Sequence, residues 1–517
     1  MTKPLTPEAV RAFETRLGTA AADSWESAYQ LFEEFVRFGS YGEPVPPPTP
    51  AGASSFVSNR FFPKLKPLRA AMLRFHEQLR AVDLNWCIFT SLLPSVLSAA
   101  CADEVAWDAP IGLVAPGESM AVSREHVLTV LARAFLLNVR RGTALDFLGG
   151  GPDPLYTSGA TMAEQKLLCL LAYLAHATST LPSPAGDAKP APTPVSPTVT
   201  FVRAHVDTAP LVTRHAGSPL HVGRVHLIPR REVYEGAADG AADGAADGAA
   251  DCGALVLSSL SGSAFGGGPL QGRSATEEEV GLLIYPEALV GLVLMQQPSA
   301  AGEVFVVRGA RRFSICSGPP HAMRFIGPAP LGSPEIDLVC MGAIRRPGGE
   351  QFERDHVTRE LHAAVAGLVV LRDGAPRRRA IAGSAAEADS VVCCCVTGLW
   401  GCGGFSGSQP VMRMLLLVAA ASIVGVELRV CLPPADTENY LRWYAGVLAE
   451  VGRQQPALGR LVDVLSNETA VNSTRLAHDV PAFASFVIKQ LRALAAGDER
   501  TAPQELSPSK RLKTSES

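Results

Sequence analysis

The stretch VVCCCVTGLWGCGGFSGSQPVMRMLLLVAAASIV, residues 391–424, decides the fold class. It opens on a short apolar run, VVCCCV, which reads as a buried strand. A glycine-rich loop, Thr397 to Gly407, follows. The chain then enters an apolar stretch that reads as a helix from Val411 to Ile423. Strand, glycine loop and helix in succession are the repeating unit of an α/β sheet. Glycines let backbone N–H groups approach an anion, and a following helix N-terminus adds a favourable dipole, so the unit is a candidate pyrophosphate cradle. Read alone, the loop equally suits a plain turn. The apolar run Met414–Val426 has thirteen residues. That is short of the ~20 needed to cross a bilayer, and it suits a buried core helix.

The α/β pattern extends outward from this unit. Strand-like segments fall at Val199–Arg203, Val222–Ile228, Ala254–Leu257, Gly281–Ile284, Glu303–Val307, Ile336–Cys340 and Val426–Leu432. Helical stretches, Pro286–Met295 and Phe352–Leu368, lie between them. Upstream the character changes to helix: residues 8–38, Lys64–Ala102, a helix over 123–139 with Ser123 as N-cap and Glu125 in its first turn, and Ala163–His176. Proline-rich stretches, Glu43–Pro50 and Leu181–Thr198, separate these regions. Four consecutive GAAD tetrads, Gly236–Asp251, read as a low-complexity insertion. The boundaries expected are a variable segment 1–60, a helical region 61–185, an α/β region 186–495 and a polar tail 496–517.

Composition narrows the function classes. Of 517 residues, 47% are hydrophobic, which excludes wholesale disorder. Lys and Arg total 46 against 50 Asp and Glu, a formal charge of −4, which argues against a coat for nucleic acid. The first thirteen residues lack the apolar core of a signal peptide, and the 11 cysteines are expected as reduced thiols of an intracellular protein. HExxH, P-loop lysine and GxSxG motifs are all absent from the sequence. No metal and no cofactor is expected.

A second glycine segment, FGGGPLQGRSATEEEVGLLIYPE, spans Phe265–Glu287. Three consecutive glutamates repel one another, which raises at least one pKa, as an acid catalyst requires. They equally suit the acidic first turn of a solvated helix. Taken with the glycines, the segment resembles the signature of the poly(ADP-ribose) glycohydrolase family: GGG, six to eight residues, then Gln-Glu-Glu. Here Gly266, Gly267 and Gly268 precede Glu277, Glu278 and Glu279, and Pro286 and Glu287 match the Asn-Pro-Glu that follows in the family. TGLWGCGGFSG resembles the family's second glycine loop. SREHVLTVLARAF, EQKLLCLLAYLAHAT, VTFVRA and EQFERDHVTRELHAAVAGL resemble further family segments in the same order.

The resemblance implies an α/β fold, a three-layer macrodomain-like mixed sheet with an N-terminal helical accessory domain. It implies hydrolysis of the ribose–ribose bonds of poly(ADP-ribose), with Glu279 as general acid/base and Glu278 hydrogen-bonding ribose hydroxyls. Gly266, Gly267, Gly268, Glu277, Gly401, Cys402, Gly403 and Phe405 would bind substrate. Implied partners are poly(ADP-ribose) and ADP-ribosylated proteins, without direct DNA or membrane binding, in the nucleus or cytoplasm. Several family positions differ. Ser259 stands for an Asp, Gly262 and Leu399 for Asn, Glu277 for Gln, Tyr285 for Asn, and Pro319 for a ligand-clamping Tyr in the loop Arg311–Phe325. These substitutions leave a second expectation, a weak or inactive reader of ADP-ribose or its polymer. KRLK, Lys510–Lys513, suits a nuclear localisation signal or a solvated tail. His321 in the clamp loop suits an exposed turn.

Overall fold

The computed structural model describes residues 7–36, 65–101, 114–136, 155–156, 158, 160–181, 196–228, 254–260, 270–272, 275–295, 302–330, 333–343, 348–382, 394–402, 408–432 and 437–497. Both glycine segments lie partly outside these residues, and the GAAD repeat and the tail after 497 lie wholly outside them.

The fold is mixed α/β. Its strands are β1 (Ser119–Ser123), β2 (Thr198–His205), β3 (Val225–Ile228), β4 (Ala254–Leu260), β5 (Glu303–Arg311), β6 (Ser314–Ser317), β7 (Arg324–Pro328), β8 (Glu335–Ala343), β9 (Cys394–Thr397) and β10 (Glu427–Cys431). Eight of them form one sheet in the order β1-β2-β5-β8-β4-β9-β10-β3, and β6 pairs with β7 in a separate hairpin. Strands β8, β4, β9, β10 and β3 run parallel, while β1, β2 and β5 continue the sheet antiparallel.

The principal helices are α1 (Pro7–Asp23), α2 (Trp25–Glu34), α3 (Lys66–Arg80), α4 (Leu93–Cys101), α5 (Arg124–Phe135), α6 (Thr161–Ala177), α7 (Glu277–Ile284), α8 (Arg354–Ala382), α9 (Pro410–Val424), α10 (Thr437–Gln454), α11 (Leu458–Leu465) and α12 (Val480–Ala495). Successive strand residues point to opposite faces, and this divides the core in two. Phe305, Val307, Leu338, Cys340 and Val396 pack with α1–α7. Val304, Val306, Val339, Met341 and Cys395 pack with α8–α12. Each fully buried Leu or Phe contributes roughly 1.5–3 kcal/mol relative to an exposed one, so a charge at Leu338 or Val339 would break the sheet's attachment to one helical layer.

Local chemistry sets the helix starts. The Ser123 hydroxyl accepts from His126 N at 3.1 Å, the N-cap expected from sequence. Arg124, the next residue, joins α5 to the sheet. It pairs with buried Glu287 and with Glu335, and donates to the Gly309 and Ser196 carbonyls. Glu287 also accepts from Arg311 N at 3.0 Å.

Two expectations are corrected. Gly281–Ile284 is helix, not strand. The buried run GLLI has no period to separate the two states, and Thr276 followed by three acids starts a helix whose dipole favours them. Cys394 is disulfide-bonded, whereas Cys87, Cys101, Cys169, Cys316, Cys340, Cys395, Cys402 and Cys431 are free thiols. Among the described residues no helix is long and apolar enough to cross a membrane.

Candidate active site

The site forms where parallel strands end. β4 pairs with β9, Val256 opposite Thr397, and with β8, Leu260 opposite Ala343. Their C-terminal ends therefore share one edge. In open α/β sheets ligands bind outside the carboxyl ends of the strands. β4 ends at Leu260 and β9 at Thr397, so the chain leaves both strands at the same edge, with Trp400 to Cys402 just beyond β9.

Glu277, Glu278 and Glu279 are the first three residues of α7. Glu278 and Glu279 are both buried, 8% exposed, so the solvated-helix alternative does not describe them. The Glu279 carboxylate accepts from Thr276 N at 3.1 Å, closing the first turn on itself. Burial pushes the Glu278 carboxyl up to about 7. The charges of Glu279 and Glu277 add to that rise, while hydrogen bonding at the helix start opposes it. Glu278 therefore carries a proton into the neutral range in a site that also holds a second carboxyl.

Two further effects locate these acids. Burial, and then the Glu278 charge, push the Cys340 thiol of β8 well above its ordinary value. Burial, and then Glu277, do the same to Cys402 in the second glycine loop. The α7 start thus faces both the sheet edge and that loop. Cys402 is held as a neutral thiol, which removes it as a nucleophile.

The described start of the second loop is rigid. Trp400 is buried and its Nε1 donates to the Met341 carbonyl at 3.2 Å. Gly401 has φ +75°, and a Cβ there would lie 3.0 Å from the Ala343 Cβ and 3.2 Å from the Arg413 guanidinium carbon. Only glycine fits that turn without displacing both neighbours. Arg413, 1% exposed on α9, stacks on Trp400 at 4.8 Å, donates to Ser408 Oγ at 3.1 Å, and pairs with Glu360 of α8. Of the residues expected to bind substrate, Gly401, Cys402 and Glu277 meet at this edge. Gly266, Gly267, Gly268, Gly403 and Phe405 lie outside the described residues.

The loop expected as a clamp is the β6–β7 hairpin. Pro319 and His321 are exposed at its tip. Its base is fixed to α6: Gln165 Oε1 accepts from Phe325 N at 2.9 Å, Cys169 Sγ lies 3.6 Å from Cys316 Sγ, and Tyr173 packs edge-on against Phe313. The adjacent Lys166, fully buried, donates from Nζ to the Gln271 carbonyl at 2.7 Å and lies 4.0 Å from Glu279 Oε2. Sequence reasoning missed Gln165 and Lys166. The available signal was three consecutive polar residues, Glu164 to Lys166, within the otherwise apolar run Met162–Ala175. Arg413 was missed for the same reason, as a lone charge in the long apolar helix. Ser259 lies in β4 opposite Gly342, Leu399 is half-buried against the α8–α12 side, and Tyr285 is buried just after α7.

Comparison with known proteins gives one family. The family described as "Poly (ADP-ribose) glycohydrolase (PARG), Macro domain fold" matches residues 253–436, which contain both glycine segments and the acidic helix start. Poly(ADP-ribose) glycohydrolase 1 of Caenorhabditis elegans is 24% identical over 184 residues, covering 32% of this chain and 21% of the relative. Poly(ADP-ribose) glycohydrolase 2 of the same organism is 25% identical over 185 residues, covering 32% of this chain and 34% of the relative. The chain thus spans about a fifth to a third of the length of these curated relatives.

Proposed function

We propose that this chain, a member of the poly(ADP-ribose) glycohydrolase family, hydrolyses the ribose–ribose O-glycosidic bonds of poly(ADP-ribose), releasing ADP-ribose. The observation that carries the reading is the start of α7. Two buried carboxyls stand side by side there, and one of them holds its proton to about pH 7. Glycosidic cleavage needs a proton delivered to the leaving oxygen and a proton removed from the attacking water. Adjacent residues on one helix turn cannot stand on opposite faces of a sugar ring, so one group takes both parts in turn. That group is Glu279. It protonates the leaving ribose oxygen, then deprotonates the water that attacks the oxocarbenium-like carbon. Glu278, the carboxyl that burial holds protonated to about pH 7, hydrogen-bonds the ribose hydroxyls.

The glycine segments Gly266–Gly268 and Gly401–Gly403 line the diphosphate with backbone N–H groups, and Phe405 packs against the ligand. In this reading residues 186–495 are the macrodomain, and the helices before them cover one face of its sheet and add the edge strand β1. Residues 61–185 are its accessory domain, onto which α1 and α2 of the variable segment 1–60 pack, and 496–517 is the tail. The polymer and ADP-ribosylated proteins are its partners, DNA and membranes are not, and it works in the nucleus or cytoplasm as part of the DNA damage response.

One observation favours a second reading. The hairpin tip presents exposed Pro319 where the family has its clamping tyrosine, which points to a binder that turns over weakly or not at all. Incubation with poly(ADP-ribosyl)ated protein and chromatography of the released nucleotide separates the two. Free ADP-ribose supports the hydrolase. Polymer retained intact on the protein supports the binder.

A further inference from the structure

We propose that Lys166 of α6 is a positioning residue for the acid/base, reaching the site from the N-terminal helices. This rests on the hydrolase reading for its catalytic consequence and on geometry for its structural one. Lys166 is fully buried in an apolar helix, where an uncompensated ammonium is costly. Two contacts justify the charge. Nζ donates to the Gln271 carbonyl, five residues before Thr276, and lies 4.0 Å from Glu279 Oε2. The same carboxylate accepts from Thr276 N. Lys166 therefore holds two points on either side of the turn that delivers Glu279: the incoming backbone and the carboxylate itself.

The charged and titratable groups around Glu279 are Glu277 and Glu278 on its own helix, Lys166 on α6, Cys340 on β8 near Glu278, and Cys402 near Glu277. Lys166 is the cation among these described groups. Its neighbour Gln165 faces the other way in function, accepting from Phe325 N in the clamp hairpin. One step of α6 thus braces both the acid/base turn and the clamp, and these two supports are separable by mutation.

Lys166→Met keeps the length and apolar stem of the side chain and removes the ammonium. Two measurements on the full chain test the assignment. The first is hydrogen–deuterium exchange of peptides covering Ala275–Val280. Lys166→Met is expected to speed exchange of the Thr276 amide at least about tenfold, with the far-UV spectrum and the exchange of β8 unchanged, and Lys166→Arg is expected to restore most of the protection. The second is steady-state release of ADP-ribose. Misplacing a reacting group by about 1 Å costs on the order of 100-fold, so Lys166→Met should lower kcat about 10- to 100-fold with KM within about threefold. Gln165→Leu, which frees the clamp, should raise KM and leave kcat nearly as it was.

Unchanged exchange at Thr276 in Lys166→Met overturns the assignment whatever the activity. Faster exchange with an unchanged kcat overturns its catalytic part. A wild-type chain that releases no ADP-ribose overturns the hydrolase reading instead, and the exchange result then decides Lys166 by itself.

Discussion

The two helix starts at the strand edge are built in opposite ways. α9 starts on a hydrophobic frame. Gln409 caps it, Pro410 opens it, and Arg413 is locked between Trp400, Ser408 and Glu360. Its ionic pair faces inward, and side-chain exposure is 2% for Arg413 and 4% for Glu360. α7 starts on three acids, and its external cation, Lys166, comes from the N-terminal helices. Glu279 keeps 11% side-chain exposure. The first arrangement suits a fixed wall. The second leaves a carboxyl, Glu278, that burial holds protonated into the neutral range beside the acid/base.

If that contrast holds, the two ion pairs should fail differently. Removing one partner of a fully buried pair leaves an uncompensated charge and costs about 3–5 kcal/mol. Arg413→Ala should therefore lose that much in urea denaturation, and Arg413→Met with Glu360→Leu should recover most of it. Lys166→Met should cost well under half as much. Equal losses at the two sites would erase the distinction.

Glu278 sharpens the comparison through pH. Its folded value, about 7, lies above the ordinary 4.5. Between those values the folded chain binds the extra proton, so Glu278's favourable contribution is full below 4.5 and disappears as pH rises through 7. Glu278→Gln should thus gain stability relative to wild type on going from pH 4.5 to pH 8, by up to about 3 kcal/mol. A difference independent of pH in that window would place the carboxyl in a solvated setting.

Gly401→Ala tests the wall. The strained turn should cost about 1–3 kcal/mol, and ADP-ribose affinity, measured by calorimetry, should fall with it. The smallest effect is expected at the hairpin tip. Pro319→Tyr supplies an aromatic face worth about 0.5–1.5 kcal/mol, so it should tighten ADP-ribose binding a few-fold. His321→Ala, beside it, should change binding less than twofold.

The same contrast explains what the sequence disclosed. The α9 unit was legible because strand, glycines and apolar helix each have a local signature, and Ser123 was legible as a cap. The glutamates of α7 were visible as chemistry, but the helix they begin was misread, since GLLI is apolar throughout and only the preceding acids mark its state. Hairpin strands β6 and β7 were hidden because Ser, Gly and Pro dominate their surroundings. Lys166, Gln165 and Arg413 meet partners far along the chain: Gln271 for Lys166, Glu360 for Arg413, and Phe325 for Gln165, |i−j| = 160. No periodicity reports such a meeting.

The most direct test of the account is a rate comparison between wild type, Glu279→Gln and Glu278→Gln on poly(ADP-ribose)-modified protein, from pH 5 to pH 9. The account predicts that wild type releases ADP-ribose and that Glu279→Gln falls by about 100- to 10,000-fold at every pH. Glu278→Gln should retain measurable turnover with an altered pH profile. Release by Glu279→Gln at the wild-type rate would contradict the central assignment.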